Sequence, residues 1–125
     1  MMIYRVVVFL MVLKLIIGCS NSNEINSGCL SVEKAVFKAE MKNNNNFQLI
    51  DVRTPDEYNN GTIENSQNIN FYDEDFNEQI SHLDKSIPTF VYCHSGGRSY
   101  EAMVIMCELG FTTVFELEGG YSSWH

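Results

Sequence analysis

The sequence predicts an α/β fold in which a central parallel sheet is covered by helices on both faces. Two observations predict it. Short apolar segments of strand length alternate along the chain with segments whose apolar residues recur at helical spacing. The strand segments, such as Thr89–Tyr92, have the pattern of strands buried on both sides. The 125 residues suffice for one domain of this kind.

Composition excludes some classes of function. Sixteen acidic residues against eight basic ones give a net charge of -8. Nucleic-acid-binding proteins need clustered Lys and Arg for phosphate contacts, so no nucleic-acid partner is expected. The same charge repels anions at long range, so a site for an anion has to be built from local groups.

Residues 1–18 are predicted to be a signal peptide. Arg5 precedes an apolar run that is shorter than the roughly 20 residues of a membrane span. Residues 16–19 resemble a bacterial lipobox, which implies cleavage before Cys19 and a diacylglyceryl group on its thiol. The expected location is therefore the cell envelope, lipid-anchored on the periplasmic side of a bacterial membrane. The alternative is an uncleaved signal anchor in which Cys19 has no role.

The segment that follows is polar, small and without periodicity, so residues 19–28 are predicted to form a lipidated cysteine and a flexible tether. The globular domain is predicted at 29–125. Its first element is expected to be a helix capped by Ser31, because apolar residues follow at helical spacing, and the asparagines of 43–46 end it.

The other elements follow from apolar spacing and helix breakers. In chain order we predict a strand at 47–52, a helix from Pro55 through Tyr58, a strand at 67–70, a helix at 71–83, a strand at Thr89–Tyr92, a helix at 99–109 and a strand at 113–117. Ligands of parallel sheets bind beyond the carboxyl ends of the strands. Asp51, Cys93 and the turn at 118–120 are therefore expected at one edge.

The loop that begins at Cys93 carries the chemistry. It follows a buried strand and precedes a helix, whose free N–H groups and dipole favour a thiolate. Gly96 and Gly97 allow successive N–H groups to point inward and form an anion nest. Arg98 adds a guanidinium, and His94 adds charge at acid pH. The alternative is a buried core cysteine, which the neighbouring Gly-Gly-Arg-Ser disfavours.

Three ordered motifs give the chain a resemblance to the rhodanese (thiosulfate sulfurtransferase) family in its single-domain form, over nearly all of residues 30–124. They are 49–58, the loop 91–93 with Gly96, Gly97, Arg98 and Ser99, and the C-terminal 110–111 and 117–124. The resemblance implies a rhodanese-like three-layer sandwich. One departure is 62–66, Thr-Ile-Glu-Asn-Ser, where the family usually has His-Ile-Pro-Gly-Ala.

The resemblance implies a mechanism. Cys93 is expected to take the outer sulfur of a donor such as thiosulfate, become a persulfide, and pass the sulfur to a thiol or cyanide. Substrate contacts are expected from the loop that follows it, namely His94, Ser95, Gly96, Gly97 and Arg98. Asp51 and Arg53 are expected to be structural, with Arg53 paired to a carboxylate such as Glu57. Because Arg98 is the loop's one definite cation, a polysulfide or protein persulfide is an alternative donor.

Two other functions remain open at this point. A related phosphatase or arsenate reductase also uses a Cys-to-Arg anion loop, but its loop is one residue longer than the four residues between Cys93 and Arg98. A non-enzymatic module that carries sulfur or binds a partner is the other alternative. Neither the cysteines nor the three scattered histidines have metal-ligand spacing, so no metal and no cofactor is expected. Cys107 is expected in the core, and a Cys29–Cys107 disulfide is possible in an oxidising compartment.

Overall fold

The computed structural model describes residues 28–125, which form a five-stranded, wholly parallel sheet with the strand order β1-β5-β4-β2-β3. The strands are β1 (Cys29–Val32), β2 (Gln48–Asp51), β3 (Gln67–Asn68), β4 (Thr89–Tyr92) and β5 (Val114–Leu117). The helices are α1 (Lys34–Asn43), α2 (Pro55–Asn59), α3 (Phe76–Ser81) and α4 (Gly97–Glu108), and a 3-10 turn covers Tyr121–Ser123.

The sheet is buried on both faces, which confirms the predicted three-layer α/β sandwich. Alternate residues of each strand point to opposite faces. On one face Leu49 and Phe90 pack with Phe37 of α1 and with the C-terminal Trp124. On the other, a second apolar cluster joins strand residues to α3 and α4; it includes Ile50, Val91, Phe76, Ile80, Met103 and Met106.

The first element differs from the prediction. Ser31 does not cap a helix; it lies in β1, an edge strand that pairs in parallel with β5. Helix α1 begins three residues later, after Glu33. The polar and apolar residues of this stretch fit helix and strand periodicity alike over so short a span, and pairing with β5 selects the strand.

The other predicted elements are present. The strand Thr89–Tyr92 has the predicted bounds, the strands predicted at 47–52, 67–70 and 113–117 are shorter, and the helix predicted at 99–109 begins two residues earlier, at Gly97. The helix expected at 71–83 forms only at Phe76–Ser81. Residues 71–75 form turns instead: the Asp73 amide donates to the Asn70 carbonyl, and the Phe76 amide donates to the Asp73 carbonyl. Helix α2 has the predicted Pro55 in its first turn and a capping box between Thr54 and Glu57.

Cys29 of β1 and Cys107 of α4 form a disulfide, the pairing that the sequence left open. Both residues also pack against the apolar cluster beneath α4, as expected for Cys107. The bond ties the edge strand to the helix that starts in the Cys93 loop. Cys93 is the free cysteine of residues 28–125.

The predicted signal peptide, the lipidation of Cys19 and the tether up to residue 27 lie outside the described residues. Within residues 28–125, no helix combines the length and the apolar character that crossing a bilayer requires.

Candidate active site

The carboxyl ends of β2, β4 and β5 form one edge of the sheet, as predicted. Asp51, the last residue of β2, is in register with Tyr92, the last residue of β4. Cys93 follows directly, and the loop from Cys93 turns into α4 at Gly97. The Gly119-Gly120 turn after β5 lies against this loop, since Gly120 is in contact distance of the Cys93 and His94 backbone.

Hydrogen-bond donors converge on the sulfur of Cys93. The Gly96 amide donates to Sγ at 3.0 Å, and the Ser99 hydroxyl lies 3.3 Å from the same atom. Cys93 is only 1% exposed, so the thiol lies at the floor of the loop. This differs from the sequence-based expectation of a thiol at the mouth of an anion pocket. The loop that surrounds it is more open, because His94 and Ser95 are exposed.

These donors favour the thiolate. Burial of Cys93 raises the pKa of its thiol, but the hydrogen bonds outweigh burial and hold the pKa below the ordinary cysteine value. The contributing donors are the Ser99 hydroxyl and the backbone N–H groups of Ser99, Gly96 and Ser95. This environment increases the thiolate fraction of Cys93, and the thiolate is the nucleophilic form of cysteine.

The C-terminal turn holds the loop in this conformation. The amides of Tyr121 and Ser122 donate to the carbonyl oxygens of Cys93 and His94, at 2.8 and 3.0 Å. Because those two carbonyls point outward to the turn, the following N–H groups are free to point to the sulfur. Gly120 has φ +58°, and a Cβ there would lie 2.5 Å from the His94 carbonyl group, so only glycine fits.

The two loop glycines have different roles. Gly96 has φ +109°, a conformation that L side chains rarely adopt, and its amide is the one that reaches the sulfur. Gly97 begins α4, and a Cβ there would meet no atom within 4 Å. The prediction that both glycines allow the loop to curl therefore applies to Gly96 alone.

Arg98 is engaged by a carboxylate. Its guanidinium donates to both oxygens of Glu57 at 2.8 and 2.9 Å and lies over the ring of Tyr72. The Arg98 pairing lowers the pKa of Glu57 to about 2, which keeps the pair ionised at neutral pH. The ion pair fixes the start of α4 against α2, and it reduces the charge that Arg98 can offer to an incoming anion.

The expected partner of Arg53 was wrong. Arg53 is buried and binds Asp51, with Nη2 2.7 Å from Oδ2, rather than Glu57. The same Nη2 donates to the Gly61 carbonyl at 2.6 Å, and the guanidinium lies over the Tyr121 ring. Arg53 and Asp51 are thus structural, as predicted, and they support the C-terminal turn from below.

Thr62 takes a place in a buried polar network. Its hydroxyl shares hydrogen bonds of 2.6 Å with Tyr92 Oη and Ser66 Oγ, and it donates to Asp51 at 3.1 Å. Two hydroxyl groups of the segment that departs from the family pattern, those of Thr62 and Ser66, are thus hydrogen-bonded beneath the site. The segment lies on the opposite side of β4 from α4.

A second buried carboxylate, which the sequence reasoning missed, lies next to Ser99. Glu116 of β5 accepts a hydrogen bond of 2.5 Å from Ser99 Oγ at its Oε1, and a close hydrogen bond from Ser31 Oγ at its Oε2. The available signal was an acidic residue inside the apolar strand 113–117, at a position that alternation places on the α4 face.

A cleft of about 490 Å³ lies beside the loop, between it and the ends of β1 and β5. Its lining combines Ser95 and Tyr100 with three carboxylates, Glu101, Glu116 and Glu118. Its acidic wall repels anions, whereas Arg98 lies outside this lining.

Known proteins with similar sequences cover most of the chain. The rhodanese-like domain family matches residues 34–125. The thiosulfate sulfurtransferase GlpE of Shewanella oneidensis is 36% identical over an alignment of 100 residues, and the match covers 77% of this chain and 90% of that protein. A sulfurtransferase of Allochromatium vinosum is 30% identical over 102 residues, 82% of this chain and 87% of that protein.

Solved structures agree with the fold. A rhodanese-related protein from Thermoplasma volcanium superposes with a TM-score of 0.65 at 31% identity, covering 75% of this chain and 88% of that one. A rhodanese-like domain protein from Staphylococcus aureus gives a TM-score of 0.66 at 23% identity, over 76% of this chain and 90% of that one. The second likeness bears on the fold alone.

Proposed function

This chain belongs to the rhodanese-like family and is a thiosulfate sulfurtransferase-like enzyme, and we propose that it transfers a sulfane sulfur through a persulfide on Cys93. The observation that carries the proposal is the convergence of the Gly96 amide and the Ser99 hydroxyl on one sulfur atom at a strand-to-helix turn. Those donors stabilise a negative charge on sulfur, both before and after a second sulfur is attached.

The first step is a displacement at the outer sulfur of the donor. The Cys93 thiolate uses a lone pair to form a new S–S bond, and the S–S bond within thiosulfate breaks with its electron pair on sulfite. The thiolate and the doubly charged donor thus become a singly charged persulfide and a doubly charged sulfite. No proton and no external oxidant or reductant takes part.

The second step regenerates the enzyme. A nucleophilic acceptor, cyanide or a thiolate, attacks the outer sulfur of the persulfide, and the Cys93 sulfur leaves as a thiolate. With cyanide the product is thiocyanate. The loop donors that hold the resting thiolate also stabilise this leaving group, so both half-reactions use the same groups.

The surroundings of Cys93 bear on the donor. The sulfur lies at the floor of the loop, so a donor with a slender terminal sulfur is favoured. Arg98 is already paired with Glu57, and the neighbouring cleft has acidic walls, which disfavours a doubly charged anion. We therefore expect a protein persulfide, whose outer sulfur carries a single negative charge, to be a better donor than thiosulfate.

Peptide mapping by mass spectrometry tests the proposal. Trypsin releases residues 86–98, which contain Cys93. After treatment with thiosulfate or polysulfide this peptide should gain one sulfur atom, and cyanide should remove it as thiocyanate. The peptides of the Cys29–Cys107 disulfide in the same digest are the internal control and should gain none.

Three outcomes separate the alternatives. Sulfur transfer by Cys93→Ser at the wild-type rate would overturn the proposal. A persulfide that forms once but never turns over with cyanide or a thiol would instead indicate a sulfur carrier. Hydrolysis of p-nitrophenyl phosphate should stay at background, because the four-residue spacing between Cys93 and Arg98 suits a sulfur atom better than a phosphate group.

We also propose that the domain is anchored to the periplasmic side of a bacterial membrane by a lipid on Cys19. The support is the lipobox-like segment 16–19 in the sequence. The Cys29–Cys107 disulfide adds support, since such bonds persist outside the reducing cytosol. In detergent phase partitioning the wild-type chain should enter the detergent phase and Cys19→Ser should not. Equal partitioning of both would count against the anchor.

A further inference from the structure

Glu116 is a buried acid without a cation. It is 1% exposed and lies on the α4 face of β5, near its end. Neither of the two ion pairs found among residues 28–125 includes it. Among residues 28–125, the groups in hydrogen-bond distance of its carboxyl oxygens are two hydroxyls, those of Ser31 and Ser99. Burying a carboxylate that has two hydroxyl donors and no cationic partner costs folding free energy. This cost indicates a role for Glu116 in the site.

The Ser99 hydroxyl connects this acid to the reactive sulfur. Its Oγ is 2.5 Å from Glu116 Oε1 and 3.3 Å from Cys93 Sγ. A hydroxyl has one proton, so it can donate to only one of these two neighbours at a time. The neighbour that does not accept must itself donate to the Ser99 oxygen if both hydrogen bonds are to form.

Two proton arrangements satisfy both hydrogen bonds. In one, the Cys93 thiol donates to Ser99 and Ser99 donates to the Glu116 carboxylate. In the other, a protonated Glu116 donates to Ser99 and Ser99 donates to the Cys93 thiolate. Each arrangement holds one negative charge, because two anions next to one hydroxyl in a buried site would repel each other.

We propose that Glu116 is a positioning residue that exchanges a proton with Cys93 through Ser99, so that the two groups share a single negative charge. In the exchange the Ser99 O–H bond breaks as its proton moves to Glu116 Oε1. The Cys93 S–H bond breaks as its proton moves to Ser99 Oγ. The net charge is unchanged, and no proton has to reach solvent from a sulfur that is almost fully buried.

The proton exchange extends the proposed function. It depends on that function in one respect, namely that Cys93 is the reactive thiol. In the reactive arrangement the carboxyl group is neutral, so an anionic donor meets one negative charge instead of two. When the acceptor regenerates the Cys93 thiolate, the same two arrangements are available again. The proton that Cys93 and Glu116 exchange then stays within the site.

Other charged groups face this pair from several elements. Arg98 of α4 acts on the charge of the sulfur and favours the thiolate. Glu101 of α4 and Glu118 after β5 line the cleft on the Glu116 side, and His94 is exposed in the loop. None of these four side chains hydrogen-bonds to Ser99 within residues 28–125. The β1 residue that contacts the pair is Ser31, an uncharged residue whose hydroxyl donates to Glu116.

The pH dependence of Cys93 alkylation tests the proposal without any sulfur donor. The rate of iodoacetamide labelling is measured on the full chain by quantifying the tryptic peptide 86–98. Wild type should show two steps: a partial rise when the fully protonated pair loses its first proton and comes to share one negative charge, and a full rise at higher pH when the shared proton is lost. Glu116→Gln should show one step that is complete at lower pH, because no second anion opposes the thiolate.

A matched control and a second variant complete the test. Glu118→Gln removes an exposed carboxylate of the same cleft, and it should keep the two-step profile. Ser31→Ala removes a donor from the Glu116 carboxylate and should shift the shared charge to sulfur, which enlarges the first step. This variant serves if Glu116→Gln fails to fold, as judged by its thermal transition.

Two results would overturn the proposal. One is a single-step wild-type profile that Glu116→Gln and Ser31→Ala leave unchanged. The other is an equal change of the profile in Glu118→Gln, which would indicate a general effect of charge. Neither result depends on whether Cys93→Ser abolishes sulfur transfer, so failure of this inference is distinct from failure of the proposed function.

Discussion

The main-chain amide of Tyr121 donates a hydrogen bond of 2.8 Å to the carbonyl oxygen of Cys93. The bond joins two residues that are 28 positions apart in the sequence, one in the C-terminal turn and one in the Cys93 loop. It orients the peptide that follows Cys93, so the N–H groups of the loop can face the sulfur. The C-terminal Gly-Gly turn thus affects the surroundings of the Cys93 thiol through the backbone of the loop.

Replacing Gly120 with alanine should disrupt this arrangement. The new Cβ would lie 2.5 Å from backbone atoms of Cys93 and His94, at a positive φ. We expect a loss of roughly 2–4 kcal/mol in the free energy of unfolding, measured by urea denaturation, and at least about a tenfold loss of sulfur transfer. Gly97→Ala is the control for stability, since a Cβ there has open space. Equal destabilisation by the two changes would contradict this account.

Acid should weaken the contact between α2 and α4. Because Arg98 holds the pKa of Glu57 at about 2, below the ordinary 4.5, the pair stabilises the folded state above pH 4.5. That contribution should be lost as the pH falls from about 4.5 to about 2. Glu57 is partly exposed, so Glu57→Gln should cost only about 1 kcal/mol at pH 7.

The difference between wild type and Glu57→Gln should therefore shrink when urea unfolding is repeated at pH 3 and below. Asp56→Asn, at the exposed neighbouring position, is the matched control and should show no such convergence. A Glu57→Gln deficit that is the same at pH 7 and pH 2.5 would assign the effect to packing and not to charge.

Loss of the Cys29–Cys107 disulfide should destabilise the domain. The bond closes a loop with a sequence separation of 78 residues, so it restricts the unfolded chain strongly. We expect the double change Cys29→Ala with Cys107→Ala to cost about 2–4 kcal/mol in urea unfolding. Reductant should lower the stability of wild type by a similar amount and leave the double variant unaffected. A reductant effect of equal size on both would point to Cys93 instead.

Thr62→Val should remove three hydrogen bonds from the buried polar network beneath the site. The Thr62 hydroxyl shares hydrogen bonds with Tyr92, Ser66 and Asp51, of which Tyr92 and Asp51 are fully buried. We expect a loss of about 1–2 kcal/mol in thermal or urea unfolding. Glu64→Gln, on an exposed position of the same segment, should change stability by less than about 0.5 kcal/mol. Wild-type stability in Thr62→Val would show that water replaces the hydroxyl.

Several elements could be predicted because their signals are local. The strand Thr89–Tyr92, the capping of α2 by Thr54 and Pro55, and the break after Asn59 all depend on residues within a few positions of each other. The same holds for the position of Cys93 between a strand and a helix. β1 could not be recognised, because a four-residue edge strand is specified mainly by its neighbour β5.

The partners of the charged residues could not be predicted for a related reason. Arg53 has Asp51 and Glu57 at similar separations in sequence, and the sequence favoured the wrong one. In the fold Asp51 lies beside Arg53 at the end of β2, whereas Glu57 points from α2 to Arg98. Choosing between the two carboxylates requires the relative positions of β2, α2 and α4. The spacing of residues in the sequence does not specify those positions.

By itself the sequence determined the α/β class, most of the succession of strands and helices, and the position of Cys93, the proposed nucleophile, between a strand and a helix, because each follows from residues close together in the chain. Tertiary structure alone decided which groups surround that sulfur. The Tyr121 amide, in the turn after β5, bonds to the Cys93 carbonyl oxygen, and Glu116 of β5 accepts from the Ser99 hydroxyl that lies beside the sulfur. Contacts of this kind depend on strand order and register, and hydrogen bonds form only where packing brings donor and acceptor within about 3 Å.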